Sequence, residues 1–355
     1  MLSYYGGTSF VLSAWVSLAV VVLPYLYVLV FISYLGLYYF FRRSTKAKWL
    51  IALLLALLVI TMAALWGGSI IPSREQADDT QSLRLMVWNV QRMGEFSKTP
   101  AQQAACITQV INKVKPDILA LLEITSHQLS NLQQNLAIPS GSCKWSDYYG
   151  TGKRRYGGLA ACIMQARAKL SILQQRRLDL PPGWKYLFVE VQPEASISPL
   201  PINFMALHVA PPKITTKRVA NILSDITTGK AQGFSDLSSL LADYKKQVVL
   251  QGSQVSTALA AIKTFKDPTL VVGDFNTTRD SAIHLELRKT LVDTWSEAGW
   301  GFGASRYWGG FLPLRIDYIY ASREFSVQSS ETIASDCSDH LPVVSEVFLD
   351  PDLSR

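Results

Sequence analysis

Charge is missing from the first 41 residues of this 355-residue chain, and again from Trp49 through Ser73. A helical hairpin packed in a soluble protein is expected to carry some charge along one face, so this gap argues against an ordinary globular start. No basic segment precedes the first apolar run, and the run is too long for a signal peptide, which sets aside a cleaved leader. No charge lies within either run to line a transport path, which leaves a channel or carrier little to work with. Cysteine is sparse: Cys106, Cys143, Cys162 and Cys337 show no C-x-x-C or Cys/His metal spacing. In an oxidising compartment the four permit one or two disulfides, and the sequence leaves their pairing open. There is no internal repeat.

What the N-terminal part does contain is length. The run Phe10–Phe41 exceeds the roughly 20 residues a bilayer core requires, and Pro24 near its middle permits a kink. Trp49–Trp66 is near the minimum span. Two transmembrane helices are therefore expected, at about 10–41 and 49–66. Between them Arg42, Arg43, Lys46 and Lys48 stand with no acidic residue. The positive-inside tendency puts that loop in the cytoplasm and both termini outside. The expectation is a multi-pass integral membrane protein whose remaining chain lies on the non-cytoplasmic side, periplasmic or extracellular. Residues 1–67 read as the anchor, 68–81 as a polar linker and 82–350 as a second domain.

The net charge of +7 leaves +5 for the chain after Asp79, once the five basic and three acidic residues up to that point are set apart. Such a surplus favours a polyanionic substrate only weakly. In this second domain, short apolar runs predict strands at 83–90, 118–122, 159–164, 186–191, 202–207, 270–272, 316–320 and 343–348. Thr99-Pro100-Ala101-Gln102 reads as a helix start with a capping box, followed by Ile107, Val110, Ile111 and Val114 at helical spacing. A further helix is expected around Leu129, Leu132 and Leu136. Two more, through Val219–Ile226 and Leu237–Tyr244, make a helical insertion at about 211–247. Strands interspersed with helices favour packed mixed sheets flanked by helices.

The polar residues occur where the strands end. Asn89, Glu123, His208, Asp274 with Asn276, Asp317, and Asp339 with His340 each fall at or next to the end of an apolar run, and groups leaving adjacent strand ends can converge in one cleft. A carboxylate, carboxamide and imidazole set suits Mg²⁺ or Mn²⁺. Taken singly, each has a plainer reading: Asp317 as a surface residue, Asn89 as a turn cap, Asp339-His340 as part of a solvated acidic turn.

Taken in order they resemble a known family. Val87-Trp88-Asn89-Val90, Pro116-Asp117-Ile118 through Leu122-Glu123, Ala206-Leu207-His208, Gly273-Asp274-Phe275-Asn276, Arg315-Ile316-Asp317-Tyr318-Ile319 and Ser338-Asp339-His340-Leu341-Pro342-Val343-Val344 are similar to the successive motifs of the endonuclease/exonuclease/phosphatase superfamily. The resemblance implies a four-layer α/β sandwich and a metal-dependent phosphoesterase. It makes Glu123 the principal metal carboxylate, with Asn89 and Asp339 close to the ion or its waters. Asp274 would orient or deprotonate the attacking water, and Asn276 would hold it or a phosphate oxygen. His340, oriented by Asp317, would contact the scissile phosphate or transfer a proton. His208 would be a second phosphate contact or the acid on the leaving-group side.

One position departs from the pattern. Where exonuclease III-like members have an acidic residue two places after the asparagine, this chain has Gln91, which points away from the abasic-site repair branch. His127 and His284 fit no motif, and Arg154-Arg155 reads as a solvated turn or a phosphate contact. The expected activity is phosphodiester hydrolysis, with nucleic acid the leading substrate. A phospholipid or sphingomyelin headgroup is the alternative, and a non-catalytic tethered binding protein a third reading.

Overall fold

The computed structural model describes residues 29–40, 44–66, 82–91, 99–148, 157–164, 168–180 and 184–349. Residues 29–40 are helical, and Thr45–Trp66 forms α1. The side chains of α1 are described only as far as Leu58, Ala47 apart. Among the described residues no helix is long and apolar enough to cross a membrane. Most of the expected first span, the linker at 68–81 and the Arg154-Arg155 pair lie outside the described residues.

From Leu83 the order is β1 (Leu83–Asn89), α2 (Pro100–Val114), β2 (Ile118–Ile124), α3 (Ser126–Asn135), β3 (Cys143–Asp147), β4 (Gly158–Ile163), β5 (Leu170–Leu180), β6 (Trp184–Pro193) and β7 (Ile202–His208). Then come α4 (Thr216–Thr227), α5 (Ala231–Ile262), β8 (Thr269–Asp274), α6 (Ala282–Leu287), β9 (Val292–Asp293) and α7 (Thr294–Ala298). The chain closes with β10 (Arg306–Trp308), β11 (Leu312–Leu314), β12 (Asp317–Ala321), β13 (Phe325–Thr332) and β14 (Val343–Leu349). Two six-stranded sheets result, ordered β13-β14-β1-β2-β4-β3 and β5-β6-β7-β8-β12-β9, with β10–β11 as a separate hairpin. Both sheets are mixed: β1 and β2 run parallel, as do β7 and β8, among antiparallel neighbours.

The pleat explains the layering, because alternate side chains leave opposite faces of a strand. Leu83, Leu85 and Val87 join Ala120, Leu122, Phe204, Ala206, Val272 and Ile319 in the apolar layer between the sheets. Met86 and Trp88 point the other way, onto Ile107, Ile111, Leu129 and Leu132 of α2 and α3. Across the molecule Met205, Leu207 and Val271 meet Val255, Leu259 and Ile262 of α5. Helix, sheet, sheet and helix therefore stack as four layers.

Local sequence sets the element ends. Thr99 caps α2 and forms the capping box with Gln102, and Thr125 does the same for α3 with Gln128. Asp117 is fully buried, and its carboxylate accepts the Arg84 and Ala168 N–H groups, fixing the start of the β1–β2 pair. Gly273 has no room for a side chain, since a Cβ there would lie 2.0 Å from the Leu207 carbonyl oxygen.

The helical elaboration differs from its expected bounds. It consists of α4 and α5, but α5 runs on to Ile262, past residue 247. Gln247, Gln251 and Gln254 interrupt the apolar pattern, yet all three are buried. The second half of α5 thereby belongs to the packed helical layer over β7 and β8.

Two disulfides, Cys106–Cys337 and Cys143–Cys162, join α2 to the loop before β14 and β3 to β4. They close loops of 231 and 19 residues in sequence separation. Cross-link entropy grows with loop length. Removing Cys106–Cys337 by paired Cys→Ala substitution is therefore expected to cost about 2–5 kcal/mol, and more than removing Cys143–Cys162. Urea unfolding midpoints of the two double variants check the order.

Candidate active site

The eight residues singled out in the sequence come together at one end of the sandwich. Strand direction accounts for most of this. β1, β2, β7 and β8 all run toward this end, and β12 and β14 start from it. Asp274 is in register with His208 on one side and Asp317 on the other. All three share the facing of Ala206, Val272 and Ile319, so they point toward the opposite sheet. Asn89, two residues after Val87, points back at them.

Glu123 would be misplaced by simple alternation, because Leu119 and Leu121 face α2 and α3. A register shift between Leu122 and Ile124 inserts it as an extra residue at a bulge. Its φ of 58° lies in the left-handed region, a conformation that costs a non-glycine residue roughly 1–2 kcal/mol. The bulge turns the carboxylate toward the cleft and releases its N–H from the ladder. That N–H donates to the Tyr148 hydroxyl at 2.7 Å.

Asp274 Oδ2 is the hub. It accepts from Asn89 Nδ2 at 3.1 Å, and lies 3.5 Å from His208 Nε2 and 3.8 Å from His340 Nε2. Its other oxygen accepts the Asn276 N–H at 2.8 Å. Asn89 Nδ2 also donates to Glu123 Oε1 at 3.2 Å, and His208 Nε2 is 3.9 Å from the same oxygen. His340 Nδ1 is 2.8 Å from Asp317 Oδ2, and its Nε2 is 3.9 Å from Asp339 Oδ1.

Neighbouring side chains and main chain fasten the set. Trp88 Nε1 donates to the His340 carbonyl. The Ser338 hydroxyl donates to the Asn89 carbonyl and accepts the His340 N–H. Ser305 Oγ accepts the Ile316 and Asp317 N–H groups, and Arg306 pairs with Asp339 at 2.7 Å. Gln251 donates to the Ala210 and Asn276 carbonyls, just beyond β7 and β8. Tyr148, Ser305, Arg306 and Gln251 were not singled out in the sequence, since none closes an apolar strand.

Two orientations bear on metal binding. Asn89 Oδ1 accepts the Gln91 N–H, so its amide offers N–H groups to the two carboxylates. A place among the ligands would require that amide to turn over. Asn276 likewise donates its side-chain amide to the Val209 carbonyl. The donor set still fits a hard cation: Asp317 Oδ1 and Asp339 Oδ1 are buried with no hydrogen-bond partner. Ligand atoms of Asp274, Asp317 and His340 lie within 4.8 Å of one another. The cluster of Cys106, Asp336 and Cys337 is no rival, because its two sulfurs are bonded to each other. His284 stands apart, wholly buried between Phe275 and Tyr318 and bonded to Tyr320 and the Thr277 carbonyl. Burial pushes its pKa down to about 3, which suits a structural role.

Burial also raises the Asp274 carboxyl, with Asp317 adding to the effect, to about 6 despite the nearby histidines. For His340, burial works against the charged ring, but Asp317 outweighs it through charge and hydrogen bond and lifts the pKa to about 9. A folded-state pKa above the unfolded value contributes stability that is complete below the latter and disappears as pH rises through the former. For His340 that window runs from about 6.5 to about 9. Thermal midpoints of chelator-treated protein are expected to fall across it, and Asp317→Asn is expected to flatten the slope.

Residues 86–340 match the profile of the Endonuclease/Exonuclease/phosphatase family, and the chain belongs to that family. No curated protein matches the chain. Solved structures share its fold. An endonuclease/exonuclease/phosphatase family protein from Bacteroides thetaiotaomicron superposes with a TM-score of 0.56 at 16% identity, over 76% of this chain and 98% of that one. The human Nocturnin catalytic domain with bound sulfate gives 0.55 at 15%, over 79% and 96%. The mannosyl-6-phosphatase of Bacteroides thetaiotaomicron gives 0.55 at 15%, over 75% and 100%. At such identities the likeness defines the fold, not the substrate.

Proposed function

We propose that the chain is a membrane-anchored, divalent-metal-dependent phosphodiesterase acting on nucleic acid outside the cytoplasm. The observation that carries the chemistry is Asp274 Oδ2, set among Asn89, His208 and His340, with His340 backed by Asp317. Phosphoester hydrolysis requires charge on the phosphoryl oxygens to be offset, a water to be aligned and a leaving oxygen to receive a proton. Mg²⁺ or Mn²⁺, when bound, supplies the charge neutralisation. Glu123 would be the principal carboxylate for the ion, with Asp339 and, if its amide turns, Asn89 also holding it.

The remaining steps belong to the chain's own groups. Asp274, held by the Asn276 N–H and with its pKa near 6, is ionised at neutral pH yet basic enough to take a proton from the attacking water. His340 keeps its proton at neutral pH and offers Nε2–H to a phosphoryl oxygen. Asp317 holds that ring in place through Nδ1. His208 gives a second donor, for the phosphate or for the leaving oxygen. Arg306 offsets the Asp339 charge at the rim.

Two further observations support the choice of substrate and compartment. The described chain enters β1 at Leu83 and the site lies at the other end of that strand, which is compatible with an aqueous polyanion reaching the cleft. Two disulfides suit an oxidising, non-cytoplasmic location, in keeping with the basic loop between the apolar runs.

The test offers the detergent-purified full chain plasmid DNA, RNA and sphingomyelin vesicles with Mg²⁺. Nucleic acid hydrolysis that stops with chelator is expected, and Asp274→Asn should lower kcat about 10³-fold. Cleavage of sphingomyelin alone would replace the nuclease reading with the lipid one. Hydrolysis of nothing, across divalent metals, would defeat both.

A further inference from the structure

Tyr148 follows directly on β3 and is buried in the layer between the sheets. A tyrosine there has a plain role as core filling, but its hydroxyl lies between two site residues that belong to different sheets. On one side is the Glu123 N–H at 2.7 Å, the group that the β2 bulge releases. On the other is His208 Nδ1 at 2.9 Å, with the two rings edge to face at 5.1 Å.

The donor inventory orders these contacts. A backbone N–H can only donate, so the phenol oxygen accepts from Glu123. The phenol also has one proton, and at 2.9 Å it donates to His208 Nδ1 or accepts from it according to the ring's tautomer; the carboxylate oxygens facing Nε2 favour a ring proton on that side. A neutral imidazole that accepts at Nδ1 carries its proton on Nε2. Nε2 is the atom turned to the reacting centre, 3.5 Å from Asp274 Oδ2 and 3.9 Å from Glu123 Oε1.

We infer that Tyr148 is a positioning residue: its hydroxyl holds His208 in the Nε2–H tautomer and seats the main chain of Glu123, tying a carboxylate of one sheet to a histidine of the other. The inference deepens the phosphodiesterase reading and rests on it for its kinetic consequence. It does not need that reading for the tautomer. Without the hydroxyl, the hydrogen bond from Tyr148 at Nδ1 is lost, and a ring protonated there would turn a lone pair, not a donor, toward substrate. The Glu123 N–H would also lose its acceptor at a position already in a costly backbone conformation.

The chain has four histidines, so ¹⁵N-histidine labelling of the full-length protein gives a spectrum simple enough to assign, with His208→Gln identifying the His208 signals. At a pH where the ring is neutral, the expected wild-type pattern is a protonated Nε2 and a bare Nδ1. Tyr148→Phe keeps the ring and removes only the hydroxyl. It is expected to give mixed tautomers and to lower kcat about 10- to 100-fold, as loss of a supporting partner typically does, with KM little changed. A wild-type His208 protonated at Nδ1 would overturn the assignment, as would a Tyr148→Phe enzyme with unaltered tautomer and kcat. If the variant does not fold, the wild-type spectrum alone decides. If the wild type hydrolyses no phosphoester, the functional reading fails, and the spectrum still confirms or refutes the role of Tyr148.

Discussion

Four carboxylates crowded at one end of the sandwich are the constraint on which the site depends. Glu123 and Asp274 share the Asn89 amide, Asp317 and Asp339 both approach the His340 ring, and Asp274 and Asp317 are almost wholly buried. Removing an ion from water costs several kcal/mol even after relaxation, so negative charge this dense requires compensation. The protein supplies some: His340 keeps a proton, Arg306 pairs with Asp339, and Asn89 offers N–H groups to two carboxylates at once. The carboxylate oxygens of Asp317 and Asp339 that still lack a hydrogen bond mark what is left over. A divalent cation is the ordinary way to balance such a remainder.

The fold meets this constraint through strand ends and a bulge. Parallel pairs deliver Asn89, His208 and Asp274 to the same end, and the pleat points them into the space between the sheets. Glu123 cannot arrive that way, because Leu119 and Leu121, which share its place in the alternation, face the outer helices, and the extra residue at the bulge corrects its direction. Motif residues that do no chemistry have roles as well. Asp117 fixes the parallel pair, Trp88 and Ser338 tie the His340 loop to β1, and Gly273 allows β7 and β8 their close approach.

The same geometry explains what could be read in the sequence. The eight strands expected from apolar runs correspond to β1, β2, β4, β6, β7, β8, β12 and β14, which are the interior strands of the two sheets. Strands β3, β5, β9 and β13, each an edge, carry no such run, and neither does the short β10–β11 hairpin. An edge strand has one neighbour and more exposed side chains, so it needs no continuous apolar run; Ser326–Ser329 of β13 is half-buried and largely polar. The helix α5 reads as shorter in the sequence than it is for the opposite reason, since its buried glutamines look like surface. The site residues stood out because charge at the end of an apolar strand is conspicuous. Tyr148 and Ser305 did not, because their value lies in contacts made across more than 50 residues or with main-chain groups, and no local pattern records either. Disulfide partners were open for the same reason: Cys106 and Cys337 meet only once the sheet has formed.

The most direct test is where a cation sits. Crystals of the protein soaked in Mn²⁺ and measured at the manganese absorption edge show ordered metal without reference to any substrate. The expected result is an anomalous peak at the shared cleft, ligated by Glu123 and weakened by Glu123→Gln. An empty cleft at saturating Mn²⁺, or a peak held by residues outside the set, would contradict the account.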